Sequence, residues 1–257
     1  MQEYIVAAEE AARVGGAILQ EWAEKFTARE KSPANLVTEA DLASEAAIGE
    51  YLLSRFPDHG MLGEESLCRE GNGSDFRWII DPLDGTGNYV HRFPYYAVSI
   101  GLEKAGQLVA GAIYDPNRDE MFAAALGEGA TLNGERIAVS EATLVGESMC
   151  MASLPIKADR NHHAVRKFLN ALEAVQSVQR SGSAALNLCA VACGRIDAFW
   201  SNSLMPWDMA AGVLIVTEAG GTVSRTGGET FSVDVPDLLA SNGTQLHQDL
   251  VKVLSRD

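Results

Sequence analysis

Residues Arg77-Trp78-Ile79-Ile80-Asp81-Pro82-Leu83-Asp84-Gly85-Thr86-Gly87-Asn88 constrain the fold more than any other stretch of this chain. The apolar run Trp78-Ile79-Ile80 has the character of a short buried strand. It then meets Asp81-Pro82. Proline has no N–H and a fixed φ, so the strand is predicted to stop there and the chain to turn. Two carboxylates, Asp81 and Asp84, fall within one turn's length, and Gly85-Thr86-Gly87 follows with backbone N–H groups open to an anion. Paired carboxylates favour a hard cation, and bare N–H groups favour a phosphate. A site with both suits metal-assisted phosphoryl chemistry, although D-x-x-D-G alone is also a common turn sequence.

Upstream, apolar residues at spacings of three and four (Ile5, Ala8, Ala12, Gly15, Leu19, Trp22, Phe26) predict an amphipathic helix over 2–26. Lys31-Ser32-Pro33-Ala34-Asn35 reads as a loop. Thr38 is placed to cap a second helix running to about Phe56, with Glu39 and Asp41 in its first turn. Asp41 is explained there by the helix dipole as well as by function. A short strand at Met61-Leu62-Gly63 runs into Glu64-Glu65, whose side chains would face opposite ways, so only one can serve a given site.

Residues 95–125 read as an antiparallel meander, with a hairpin at Lys104-Ala105-Gly106 and turns at Asp115-Pro116 and Asn133-Gly134. Near residue 140 the pattern changes to alternating helix and strand. Strands are predicted at Met149–Ser153, Ile196–Trp200 and Leu238–Ser241. Helices are predicted over 159–175, from Gly182-Ser183 onward, from Trp207-Asp208 to Glu218, and at the C-terminus. The chain therefore divides into an α+β half, residues 1–145, and an α/β half, residues 146–257, in intimate contact.

The formal net charge of -15 argues against nucleic-acid binding through a basic face, and suits an anionic ester only if cations gather at the site. No apolar run approaches the roughly 18 residues of a membrane span. Met1-Gln2-Glu3-Tyr4 carries no basic or apolar leader, so a soluble cytoplasmic protein is expected. Cys68, Cys150, Cys189 and Cys193 form no C-x-x-C pair and read as buried free thiols. The histidines include no H-E-x-x-H, and His162-His163 reads as a solvated helix start.

Four stretches together resemble the inositol monophosphatase family: Gly63-Glu64-Glu65-Ser66, Asp81–Asn88, Trp207-Asp208-Met209-Ala210-Ala211-Gly212 and Glu218-Ala219-Gly220-Gly221. Leu36–Asp41 and Gly182-Ser183-Ala184-Ala185 are also similar to its pattern, and the resemblance runs from about residue 5 to residue 245. It implies an α-β-α-β-α layered fold, usually a homodimer, and Mg²⁺-dependent, often lithium-sensitive hydrolysis of small phosphate monoesters such as inositol 1-phosphate. It implies one ion held by Glu64, Asp81 and the Leu83 carbonyl, and a second held by Asp81, Asp84 and Asp208. Glu64 would help a weaker third ion through water. Thr86 and Asp41 match the residues thought to orient the attacking water, with Glu64 assisting. Gly85, Thr86, Ser183, Ala184, Ser201 and Asp208 are the implied substrate contacts.

One departure bears on substrate. Where inositol-preferring members carry a glutamate before the W-D pair, this chain has Ser201. Histidinol phosphate, fructose 1,6-bisphosphate, NADP and 3′-phosphoadenosine phosphate are thus rival substrates within the same chemistry. A regulatory binding protein with a vestigial site is the alternative of another class. The intact set Glu64, Asp81, Asp84 and Asp208 argues against it.

Overall fold

The computed structural model of the chain describes residues 1–32 and 35–256. The N-terminal apolar stripe becomes helix α1 (Gln2–Trp22), burying Ile5, Ala8, Ala12, Gly15 and Leu19; it ends at Trp22 rather than Phe26. The loop expected over 31–35 is partly strand. Ala28–Ser32 (β1) pairs antiparallel with Asn35–Thr38 (β2), while Pro33 and Ala34 lie outside the described residues. The polar sequence of β1 has no apolar alternation, which hides it from a reading of pattern. Thr38 caps α2 (Glu39–Arg55): its hydroxyl accepts from the Ala40 and Asp41 N–H groups, and Asp41 accepts from the Thr38 N–H.

An eight-stranded sheet is built from β3 (Gly60–Gly63), β4 (Cys68–Arg69), β5 (Phe76–Asp84), β6 (Ala97–Lys104), β7 (Gln107–Asp115), β8 (Glu120–Ala125), β9 (Gly129–Leu132) and β10 (Glu135–Arg136). Its order is 10-9-8-7-6-5-3-4, with β3 and β5 parallel and the other neighbours antiparallel. The meander is as predicted, but Pro82 does not end β5. Asp81 lies opposite Ser99 and Asp84 opposite Ala97, so β5 carries one extra residue there. Pro82 sits in this bulge, where a missing N–H costs no ladder bond. The chain kinks without leaving the sheet.

The second sheet has five strands: β11 (Met149–Ser153), β12 (Ser177–Gln179), β13 (Ala198–Ser201), β14 (Thr222–Ser224) and β15 (Leu238–Ser241), in the order 12-11-13-15-14. The short strands β12 and β14 escape prediction. The remaining helices are α3 (Thr86–Val90), α4 (His163–Ala174), α5 (Ala184–Ala192), α6 (Pro206–Glu218) and α7 (Gln245–Leu254). Helix α4 starts later than expected, with His162 as its cap: the imidazole Nδ1 accepts from the Ala164 N–H at 3.2 Å. All four cysteines are free, but the expected burial holds fully only for Cys150 and Cys189; Cys193 is half-buried, and Cys68, on the short edge strand β4, is exposed.

Helices α1 and α2 cover one face of the large sheet, and α5 and α6 fill the space between the two sheets. Helices α4 and α7 cover the far face of the small sheet. This is the α-β-α-β-α layering. Helix α5 is buried along its whole length, as its apolar sequence requires of a helix packed on both sides.

Candidate active site

The bulged end of β5 carries Asp81 and Asp84, and the first turn of α6 carries Asp208. One carboxylate oxygen from each lies within 4.8 Å of the others. Asp81 accepts from the Leu83 N–H at 3.0 Å, and Asp208 from the Met205 N–H at 2.7 Å. Asp84 is held at the N-terminus of α5. It accepts from the Ala184 and Ala185 N–H groups at 3.2 and 2.9 Å, and from the Ser183 hydroxyl.

Helix N-termini favour carboxylates, but burial and mutual repulsion win here. The Asp81 carboxyl is pushed well above the usual range, first by burial and then by the charges of Glu64, Asp84 and Asp208. Asp208 is raised to about 8 by burial and by Asp84. Asp84 is raised only to about 6, because the bonds from Ser183 and the α5 amides oppose its burial. Glu64 lies outside the tight trio but close by. Its N–H donates to the Ile80 carbonyl at 3.2 Å, and its charge acts on all three aspartates and on Asp41.

Beside the trio, Gly85 has φ +96° and starts α3. That left-handed backbone favours glycine, and a Cβ there would also lie 3.1 Å from the Tyr95 carbonyl. The turn sets Thr86 Oγ1 at 3.2 Å from Asp41 Oδ1 and at 3.2 Å from the Leu83 carbonyl. The hydroxyl has one hydrogen to donate and keeps lone pairs for a water. Asp41 is fully buried, and its Oδ2 accepts from the Thr38 N–H at 2.8 Å and the Thr38 hydroxyl at 2.6 Å. Burial raises its pKa, against the bonds from Thr38.

These groups open on a cleft of about 640 Å³, which Asp84, Gly85, Thr86, Ala184 and Asp208 line. Ser153–Ile156, Arg180, Ser203 and Leu204 also line it. Arg180 is the one cationic side chain among the described residues of that lining. Ser183 and Ser201 are fully buried and do not line the cleft. Ser183 serves Asp84, and Ser201 Oγ accepts from the Ser203 N–H at 3.3 Å inside the end of β13. Of the substrate contacts expected from sequence, Gly85, Thr86, Ala184 and Asp208 line the cleft, whereas Ser183 and Ser201 do not; Ser203 lines it near the end of β13. Asn88 ties the halves together, donating to the Tyr95 and Ser181 carbonyls at 2.7 and 2.9 Å.

The reading of the sequence missed Ser44 and Glu45. Both are buried, three and four residues past Asp41 on the same face of α2. The helical period after Asp41 was the signal available.

The chain matches the model of the inositol monophosphatase family over residues 1–256. It is 41% identical over 260 residues to the inositol-1-monophosphatase of Synechocystis, covering 99% of this chain and 90% of that one. It is 37% identical over 250 residues to the Nus factor SuhB of Pseudomonas aeruginosa, covering 94% and 92%. The extragenic suppressor protein suhB of Bartonella henselae superposes with a TM-score of 0.92 at 36% identity, over 97% of each chain. This chain belongs to the inositol monophosphatase family. It is a phosphoric monoester hydrolase.

The acidic cluster of this family member fits a cation. No lysine or arginine figures among the groups acting most strongly on Asp81, Asp84 and Asp208. Their charge must be met by protons or by a bound ion, and an all-carboxylate set selects a hard one. A prediction follows for the metal-free phosphatase. Each raised carboxyl binds its proton more tightly folded than unfolded. Its contribution to stability is complete below the unfolded carboxyl range of about 4. That contribution is lost as pH rises through about 6 for Asp84 and about 8 for Asp208. A divalent cation at about 100 times its Kd adds about 2.7 kcal/mol, or roughly 5–10 °C in Tm for a chain of this size. Calorimetry in chelator and in excess Mg²⁺ should show the cation-induced rise growing from pH 6 to pH 8.5. An identical small rise at both would contradict this account of the cluster.

Proposed function

We propose that this phosphatase hydrolyses inositol 1-phosphate or a similar polyol phosphate, using two or three Mg²⁺ ions held by Glu64, Asp81, the Leu83 carbonyl, Asp84 and Asp208. The observation that carries this is the trio Asp81, Asp84 and Asp208, drawn from β5 and the first turn of α6, with Asp84 and Asp208 lining one cleft beside the Thr86–Asp41 pair. On this reading residues 1–145 supply most ligands and residues 146–257 complete the site with Asp208. Bound there, Mg²⁺ supplies positive charge to the phosphoryl oxygens and acidifies water.

The chain's own groups do the rest. Thr86 Oγ1 donates to Asp41 Oδ1 and accepts from the attacking water, aiming its lone pair at phosphorus. The water oxygen forms the new P–O bond as the ester P–O bond breaks. The water's proton passes through Thr86 Oγ1 to Asp41 Oδ1, and the leaving alkoxide takes a proton from solvent. The amides of Gly85 and Thr86, which open α3, have no intrahelical acceptor and suit the phosphate. Arg180 offers the cleft a positive charge in a chain of net charge -15.

The test is phosphate release, with and without Mg²⁺, from inositol 1-phosphate, glycerol 2-phosphate, fructose 1,6-bisphosphate, histidinol phosphate and NADP. The first two should be hydrolysed best, with modest selectivity between them, because serine stands at position 201, where inositol-preferring members carry a glutamate, and the cleft beside it is lined by Ser203. A strong preference for any of the last three would displace the polyol reading.

Three further points belong to this reading. The protein is read as a cytoplasmic homodimer, and no described helix is long and apolar enough to cross a membrane. Its balance of charge speaks against a nucleic-acid partner. Li⁺ is expected to inhibit uncompetitively with substrate at about tens of millimolar, a dose set by weak ion competition, by replacing the ion that Asp84 and Asp208 share. Initial rates against substrate at several Li⁺ concentrations check this. Rates indifferent to Li⁺ would count against an ion of that kind.

A further inference from the structure

Glu45 is a carboxylate at 2% exposure with no lysine or arginine bonded to it among the described residues. Its Oε1 accepts from the Glu65 N–H at 2.9 Å. Its Oε2 accepts from the Ser66 N–H at 2.8 Å, the Ser66 hydroxyl at 2.9 Å and the Leu67 N–H at 3.0 Å. Both oxygens are therefore committed to protein donors. Those donors are the three consecutive amides that follow Glu64 as the chain leaves β3.

The preceding residue completes the fit. A Cβ on Gly63 would lie 2.1 Å from Glu45 Oε1, so glycine there lets the carboxylate reach the loop. The Gly63 N–H closes the same loop on the Leu67 carbonyl at 2.6 Å. The neighbouring positions of α2 act alike. Ser44 donates to the Pro82 carbonyl at 3.0 Å, between Asp81 and Leu83, and Asp41 accepts from Thr86. One face of a single helix thus reaches both the loop that follows Glu64 and the Asp81–Thr86 turn, and Glu45 is its contact with the first.

We propose that Glu45 is a positioning residue for the cation site: by gathering the amides of residues 65–67 it fixes the backbone that aims Glu64, and so sets cation affinity without touching the ion. This rests on reading Glu64 as a cation ligand. A buried carboxylate accepting four hydrogen bonds from one loop holds it in one conformation, because each donor would otherwise be left unpaired. Ligand sets need such support to bind with the geometry the ion demands.

The experiment is calorimetric titration of the metal-stripped full chain with Mn²⁺, paired with Mg²⁺ activation of phosphate release. Glu45→Gln keeps the size but turns a donor toward donors. It should weaken Mn²⁺ binding at least tenfold and raise the Mg²⁺ needed for half-maximal activity by a similar factor, with lost activity largely recovered by excess Mg²⁺. Gly63→Ala, which displaces the same carboxylate, should do likewise, and the double variant should be no worse than either single one. If Glu45→Gln does not fold, Ser66→Ala removes one of the four bonds and should weaken Mn²⁺ binding about threefold at nearly unchanged Tm. Unchanged Mn²⁺ affinity in the folded variants, with only Tm reduced, overturns the proposal for Glu45. Absent Mn²⁺ binding by the unmutated chain would instead overturn the reading of the site, and the proposal with it.

Discussion

Asp81→Asn should lower kcat/KM by about 10³-fold or more while leaving the fold intact and raising the Tm of the metal-free protein. A loss of that size corresponds to about 4 kcal/mol of transition-state stabilisation, the scale on which preorganised charge contributes to catalysis. Asp81 is the carboxylate on which burial and the charges of Glu64, Asp84 and Asp208 all converge. Asparagine keeps an acceptor for the Leu83 N–H and removes the buried charge. The gain in stability should therefore be larger at pH 8 than at pH 5, since the raised carboxyl costs stability only where it ionises. Steady-state kinetics and melting in chelator check both parts. Mg²⁺-dependent turnover within tenfold of the unmutated enzyme would contradict the assignment of Asp81.

Thr86→Ala should reduce kcat about 10²-fold while changing cation affinity by no more than about threefold. The magnitude is that of a lost proton-transfer and orienting group. The Thr86 hydroxyl contacts Asp41 and the Leu83 carbonyl, and it belongs to no carboxylate cluster. Its loss should leave Asp41 in place, since Thr38 holds the other carboxylate oxygen. Kinetics at saturating Mg²⁺ and calorimetric ion titration separate the two effects. Collapse of cation affinity with kcat unchanged would assign Thr86 to the ion rather than to the water.

Much of this site can be read along the chain because its parts carry local chemistry. Asp81, Asp84 and Gly85 announce themselves by adjacency, and Thr38 and Asp41 by the pattern of a capped helix. The division into two halves could be read from the change of pattern near residue 140, whereas the layering was implied by the family resemblance. Pro82 shows where such reading fails. A local rule ended β5, whereas pairing with β6 absorbs the proline as a bulge and thereby brings Asp84 to the α5 N-terminus. Ser183 and Ser201 fail for a related reason. Which way a serine points at the end of a strand or helix depends on packing that no spacing reveals, and both turn inward. Glu45 was hidden because its partners are backbone amides, which carry no sequence signal.

The most direct test of the central claim is Mg²⁺ titration of metal-stripped protein with inositol 1-phosphate, comparing the unmutated chain with Asp208→Asn. The carboxylate trio, as the seat of the cation that supports ester hydrolysis, predicts no phosphate release in chelator and saturable activation as Mg²⁺ is added. For Asp208→Asn it predicts activation shifted at least tenfold upward and a depressed plateau. Phosphate release that persists in chelator, or the same activation curve for both proteins, would contradict it.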